Sequence, residues 1–280
     1  MKAGTPPTVG QMIDIALEED LGRGDVTTRL CVPGDATSEG RVIAKQELVV
    51  CGLDIFEEVM KRVDPDTVLE QMVREGEKIA PGTLMAVAKG KTASLLMAER
   101  VALNFLQRIS GTATMTRSFV DVIPGNCKVR LVDTRKTTPG LRYLERAAVL
   151  VGGGNNHRVD LGGGILIKEN HIRAAGSLTE AVIRCKQLGP HPLAVEVEVT
   201  SQLEVDEALL AGADVIMLDN MNNQKMAEAV QRIAGRALVE ASGGVNLNTV
   251  AQIAQTGVDI ISVGAFTHSA PSADISFLIH

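Results

Sequence analysis

The apolar positions of this chain fall into two textures. Over residues 9–21 (VGQMIDIALEEDL) they recur at helical spacing, and Gly22 marks the stop. The pattern then predicts strands around 41–50 and 67–73, with a helix around 53–63. In REGEKIAPGTLMAVAKG it predicts two turns and a strand. A long helix over about 93–109 (ASLLMAERVALNFLQRI) closes this half and is apolar on most sides. Its polar stripe is Arg100, Asn104 and either Gln107 or Arg108. So apolar a helix is a buried one, and its stripe is expected to face a partner or a cleft.

From about 128 onward, short apolar runs alternate with amphipathic stretches. The runs are KVRLVD, ILIK, LAVEVEV, DVIMLD, ALVEAS and DIISVG; helices are expected near 141–151, 178–188, 202–211, 222–234 and 246–256. This alternation implies parallel strands joined by crossover helices. GADVIMLDN (212–220) and GVDIISVGA (257–265) echo each other about two strand–helix units apart. Recurring equivalent units favour a barrel over an open sheet, and six strands are readable.

Each run ends in polar or glycine-rich sequence: Asp133 with Arg135 and Lys136, Lys168, Glu196 and Glu198, Asp219, Ser242–Gly244, and Gly264–Ala265. Loops converge at the C-terminal rim of a parallel barrel, so six such segments at one mouth mark a site. In LAVEVEV, alternation puts Val195, Val197 and Val199 on the face that meets the helices, and turns Glu196 and Glu198 inward. Two carboxylates about 7 Å apart repel by roughly 2–3 kcal/mol. Lys136, Lys168 or a divalent ion are candidate counter-charges. Glu196 reads equally as half of a buried Glu–Lys pair and as a functional group, whereas Glu198, nearer the rim, reads as functional.

Glycine triplets at 152–154 and 162–164 bracket NNHRVDL, and neither fits a dinucleotide-binding fingerprint. The first reads either as a flexible loop or as backbone bringing His157 and Arg158 to an anion. Ser242–Gly244 and Gly264–Ala265 suit a phosphate cradle after the last strands. His171 reads as structural, His268 and His280 as incidental. No metal-ligand spacing supports a resident zinc; Glu198 and Asp219 suit Mg²⁺ held jointly with substrate.

Composition narrows the classes. The 280 residues are 45% hydrophobic and 22% charged, enough for one large or two smaller domains. A net charge of −6, with five Phe, one Tyr and no Trp, excludes a nucleic-acid binder. No apolar run approaches the roughly 20 residues of a membrane span, and the N-terminal stretch carries no secretory or transit pattern. The scattered Cys31, Cys51, Cys127 and Cys185 read as free thiols of a cytoplasmic protein. Against this acidic background, Arg135, Lys136, His157, Arg158 and Lys168 are a local cationic cluster suited to a small polyanion. A phosphosugar aldolase using Lys168 as a Schiff-base amine is a rival reading of the same residues.

EDLGRGDVTT (19–28), ERVALNFLQRISGTAT (99–114), DTRKTTPGLR (133–142), GGGNNHR (152–158), LIKENHI (166–172), EVEV (196–199), GADVIMLDNM (212–221), LVEASGGV (238–245) and GVDIISVGAFTHS (257–269) together resemble the quinolinate phosphoribosyltransferases. These are the decarboxylating nicotinate-nucleotide pyrophosphorylases, type II phosphoribosyltransferases. The resemblance runs over nearly the whole chain, with the motifs in order. It implies an N-terminal α/β sandwich joined to an incomplete, seven-stranded α/β barrel. The expected domains are 1–112, to which the tail at about 268–280 returns, and 113–267. The implied activity is Mg²⁺-dependent transfer of phosphoribose from phosphoribosyl pyrophosphate (PRPP) to quinolinate, with loss of CO₂, on the route to NAD. The implied assembly is a homodimer, or a multiple of one, with shared sites.

Carried over by motif, Arg135, His157, Arg158 and Lys168 hold the quinolinate carboxylates, and Arg100 reaches in from the neighbouring subunit. Thr134 lies in the substrate loop, and Lys136 meets the pyrophosphate or the reacting centre. Glu198 and Asp219 take the ribose hydroxyls and Mg²⁺, while Ser242, Gly243, Gly244, Gly264 and Ala265 cradle the 5′-phosphate. Lys136, Lys168, Glu198 and Asp219 are the expected catalytic set. The chain departs from the family pattern at Asp160 and Gly163, beside the acceptor pocket.

Overall fold

The computed structural model describes residues 7–280. In chain order the elements are α1 (Pro7–Leu21), α2 (Val26–Cys31), β1 (Thr37–Ala44), β2 (Leu48–Val49), α3 (Leu53–Val63), β3 (Val68–Gln71), β4 (Lys78–Ile79), β5 (Leu84–Lys91) and α4 (Thr92–Asp121). Then follow β6 (Arg130–Val132), α5 (Arg142–Val151), β7 (Ile165–Ile167), α6 (Glu169–Ala175), α7 (Leu178–Leu188), β8 (Val195–Val199), α8 (Gln202–Ala211) and β9 (Val215–Asp219). The chain ends with α9 (Asn223–Ile233), β10 (Leu238–Ser242), α10 (Val250–Ala254), β11 (Ile260–Ser262), α11 (Ala265–His268) and β12 (Ile275–Ile279). They form two compact units. The first comprises the chain up to Arg117, Thr138–Gly153 and Ala270–His280; the second comprises Ser118–Thr137 and Gly154–Ser269.

The first unit is built on an antiparallel sheet in the order β12–β1–β5–β3, beside the small β2–β4 pair. The C-terminal strand therefore closes the sheet of the N-terminal unit, with Gly40 opposite Ile279. Gly40 has no room for a side chain, since a β-carbon would lie 1.9 Å from the Phe277 ring. Helix α4 runs twelve residues beyond the 109 expected from its periodicity. Gly111 does not end it; a β-carbon there would lie 2.0 Å from the Pro271 carbonyl, so glycine serves the close passage of the returning C-terminal segment.

The polar stripe of α4 divides. Arg100 and Asn104 are exposed. Gln107 donates to the Ile275 carbonyl at 2.7 Å, and Arg108 donates to the buried Glu145 carboxylate at 2.7 Å and to the Ala270 carbonyl at 2.8 Å. This corrects the expectation for 107 and 108, whose polar groups tie their own unit together. Glu145 also accepts from the Thr138 amide and hydroxyl, so its buried charge is fully met.

The second unit has a parallel sheet in the order β6–β11–β10–β9–β8–β7. These are the six strands legible in the sequence. The seventh implied by the family resemblance is reduced to one residue, Asn155, which bridges Val132 in parallel. Residues at the C-terminal ends of all six strands line one cavity, and residues at the N-terminal ends line another, so the sheet curls about a common axis. It is an α/β barrel left open between Asn155 and β7. The GAD/GVD echo acquires a physical meaning here. The Asp214 carboxylate accepts the Val195 amide at 2.7 Å, and Asp259 accepts the Val239 amide at 2.8 Å. Each aspartate anchors the start of β8 or β10 beside the strand it precedes. Helices α2, α6 and α11 are too short for a periodicity signal, and α10 is shorter than the 246–256 expected.

Candidate active site

The strands present their valines outward, with Val195, Val197 and Val199 at most 2% exposed, and their carboxylates inward. The C-terminal ends open on a cavity of about 640 Å³. Its walls carry Thr134, Arg135 and Lys136 after β6, His157 and Arg158 after the Asn155 bridge, Lys168 after β7, Glu198 on β8, Asp219 on β9, and Ser242, Gly243 and Gly244 at the end of β10. All these residues were candidates from the sequence. Gly264 and Ala265 are not part of the lining. Ala265 opens the four-residue α11, and Gly264 packs beside Lys136, where a β-carbon would lie 3.3 Å from its Cδ. Arg100 lies on α4 in the first unit, 58% exposed and 3.9 Å from Glu99.

Local contacts explain how the site is held. The Thr134 hydroxyl accepts the Lys136 amide at 3.1 Å, and the buried Thr267 hydroxyl donates to the Lys136 carbonyl at 2.8 Å. Two threonines thereby shape the cationic loop. Lys168 is ion-paired with Glu198, and its amide donates to His171 Nδ1 at 2.9 Å. His171 is thus a support for the start of α6, as its sequence context suggests. Asp219 accepts the Asn220 side-chain amide at 2.9 Å. Asn220 takes a left-handed φ of 53°, and Gly243 must be glycine because a β-carbon would lie 2.3 Å from Asn220 Oδ1. Asp160 accepts the Gly162 amide at 2.9 Å, so this departure from the family pattern caps its own turn.

The cavity concentrates positive charge. Burial, and then the Arg135 guanidinium nearby, hold the Arg158 pKa below its ordinary value. The two guanidiniums, with Lys136 and Lys168 on the same cavity, form a cationic set suited to a polyanion. Glu198 and Asp219 supply hard oxygen donors on adjacent strands.

Sequence reasoning missed Glu240. It is 1% exposed and lies 3.5 Å from His157 Nε2, while Glu196 lies 3.1 Å from the same nitrogen. The partner of Glu196 is therefore His157, which corrects the Glu–Lys pairing. Both His157 ring nitrogens meet protein atoms, since Nδ1 accepts the Arg158 amide at 2.8 Å. The ring is thus a support beneath the cavity more than a free donor for a ligand carboxylate. The sequence signal for Glu240 was its place in LVEAS, a strand otherwise apolar up to its terminal serine.

Comparison with known proteins places this arrangement. The model of the quinolinate phosphoribosyl transferase C-terminal domain matches residues 112–278, and that of the N-terminal domain matches 25–110. The chain is 42% identical over 266 residues to the Synechocystis protein named "Probable nicotinate-nucleotide pyrophosphorylase (carboxylating)", covering 94% of this chain and 90% of that one. It is 40% identical over 287 residues to "Quinolinate phosphoribosyltransferase (decarboxylating) 1b" of Nicotiana tabacum, covering 96% and 81%. Among solved structures, NadC from Streptococcus pyogenes superposes with a TM-score of 0.95 at 37% identity, covering 100% of this chain and 99% of that one. With two matched domains in order and relatives over nearly its full length, the chain belongs to the quinolinate phosphoribosyltransferase family.

Proposed function

We infer that the chain transfers phosphoribose from PRPP to quinolinate with decarboxylation, giving nicotinate mononucleotide, pyrophosphate and CO₂ for NAD biosynthesis. The observation that carries this reading is the Arg135–Arg158 pair, set with Lys136 and Lys168 around one cavity that also holds Glu198 and Asp219. Quinolinate is a planar dianion, and two guanidiniums with an ammonium match its carboxylates. In our reading Arg135, Arg158 and Lys168 hold them, with His157 beneath. Ser242–Gly244 take the 5′-phosphate through backbone amides, and Gly264 and Ala265 stand behind the Lys136 loop.

The N1–C1′ bond forms as the C1′–pyrophosphate bond breaks, through an oxocarbenium-like state that needs positioning and charge stabilisation. Lys136 is placed to meet the departing pyrophosphate. Breaking the C2–carboxyl bond then leaves its electron pair on C2, beside the new pyridinium nitrogen, and C2 takes a proton from solvent. No protein general base is required. Glu198 and Asp219 fit Mg²⁺ shared with PRPP, since both present carboxylate oxygens to the cavity. The ion would supply charge neutralisation of the pyrophosphate. We assign the protein to the cytoplasm, as its four unpaired cysteines suggest. The working form is a homodimer in which Arg100 completes the partner's site, in keeping with its exposure.

The test is CO₂ and nicotinate mononucleotide formation from quinolinate, PRPP and Mg²⁺, with nicotinate as a parallel acceptor. Stoichiometric products with quinolinate alone support the assignment. Turnover with nicotinate but not quinolinate would overturn it. The pairing of Lys168 with Glu198 favours this reading over the Schiff-base aldolase, whose mark would be a borohydride-trapped adduct on Lys168.

A further inference from the structure

The chain leaves β9 in a way that its internal echo does not. GADVIMLDN and GVDIISVGA put Asp219 and Asn220 at the positions of Gly264 and Ala265. Gly264 has a φ of −65° and leads straight into α11, whereas Asn220 takes a left-handed φ of 53°. A strand-to-helix turn of this barrel therefore does not itself require a left-handed residue. Among the described residues the other non-glycine with a positive φ is Ala234, which closes α9, an ordinary place for one. Asn220 instead lines the cavity, between the β9 carboxylate and the glycines after β10. An uncommon backbone conformation held at the mouth of a site points to function.

Three contacts define what the residue does there. Its backbone amide donates to the Ser242 carbonyl at 2.9 Å, which carries the β9–β10 pairing one step past Asp219 and Ser242 and fixes the turn. Its side-chain Nδ2 donates back to Asp219 Oδ2 at 2.9 Å. Its amide group lies against Gly243, where a β-carbon would fall 2.3 Å from Oδ1, 2.5 Å from Cγ and 2.9 Å from Nδ2. Successive side chains of an extended strand point to opposite faces. An extended residue after Asp219 would carry its amide away from the carboxylate, and the left-handed turn brings it back. Asparagine is one of the few residues that enter this region readily. With Oδ2 engaged, the rotation of the Asp219 carboxylate is fixed and Oδ1 is the oxygen left for a ligand.

We propose that Asn220 is a positioning residue for the phosphoribosyl donor: backed by Gly243, its amide holds the Asp219 carboxylate in the orientation that receives PRPP with its Mg²⁺. The inference rests on the role assigned to Asp219 above. Its hydrogen bonds go to Asp219 and Ser242, both on the donor side of the cavity, so binding of the acceptor is expected not to depend on it.

Two variants test this. Asn220→Gly keeps the left-handed backbone and deletes the amide. Asn220→Asp keeps the size and the left-handed preference and replaces the donor with an acceptor. Calorimetric titration with PRPP and Mg²⁺ should show the dissociation constant raised roughly tenfold or more in both. The quinolinate KM should stay within about threefold of the parent's, and the thermal midpoint within the few degrees that glycine's backbone freedom costs. PRPP affinity equal to the parent's in either variant overturns the proposal. A parallel loss for both substrates, with a larger fall in the midpoint, makes Asn220 a structural turn only and also overturns it. The binding readout needs no turnover. A parent that binds PRPP but leaves quinolinate unconverted fails the assigned activity, and the variants' affinities still decide the role of Asn220. A parent that does not bind PRPP overturns both.

Discussion

Arg158 sits where its charge is least comfortable, partly buried and beside Arg135. In the proposed site an anion spans both guanidiniums, and each should contribute a charge-assisted bond worth about 1.5–3 kcal/mol. Arg135→Ala or Arg158→Ala should therefore raise the quinolinate KM roughly 10–100-fold, leaving the PRPP KM within a few-fold; steady-state kinetics with each substrate varied will show it. Arg158→Lys should recover little, because an ammonium lacks the planar fork. The His157 cluster adds a pH dependence. Hydrogen bonds to Glu196 and Glu240 raise the His157 pKa in the fold from the ordinary imidazole value of 6.5 to about 10. Its contribution to stability is thus complete below pH 6.5 and is lost as pH rises toward 10. The thermal midpoint should fall over that window, and fall less in a Glu196→Gln, Glu240→Gln double variant, which lacks the carboxylates that raise the His157 pKa. Cationic residues were legible in the sequence because they stand out in an acidic chain. Glu240 was not, because the residues that give it meaning lie on other strands.

Helix α4 shows where element-level reading succeeds and stops. Its apolar faces announced a long buried helix, but its length depends on a contact the sequence cannot display, the Pro271 carbonyl crossing over Gly111. Gly111→Ala, normally favourable in a helix, should here cost about 1–3 kcal/mol through overpacking, read as a lower urea midpoint. Arg108 belongs to the same lesson. Its spacing on the helix suggested a cleft, whereas it neutralises Glu145, which is 0% exposed. Arg108→Met leaves that carboxylate buried with two Thr138 donors. It should destabilise the fold by about 3–5 kcal/mol, measured by the same denaturation. The GAD/GVD echo was visible in one dimension, and its cause, aspartates anchoring β8 and β10, needed the strands side by side.

For the whole molecule, the assembly prediction turns on Arg100. If it completes a neighbour's site, Arg100→Ala chains mixed with Lys168→Ala chains should regain activity, up to roughly a quarter of the parent's, through heterodimers carrying one intact site. No recovery despite verified subunit exchange would remove Arg100 from the site. The sequence by itself determined the alternation of strands and helices, the inward carboxylates of β8, the cationic loop and the family, because these rest on local periodicity and on residue types in order. Only the tertiary structure decided which strand the C-terminus joins, that the seventh barrel strand shrinks to Asn155, that Gly264 and Ala265 stand outside the cavity lining, and that Glu196 faces a histidine and a second glutamate. The reason is physical. Pairing, burial and the partners of buried charges depend on groups distant in sequence, and the chain records each group without recording which of them meet.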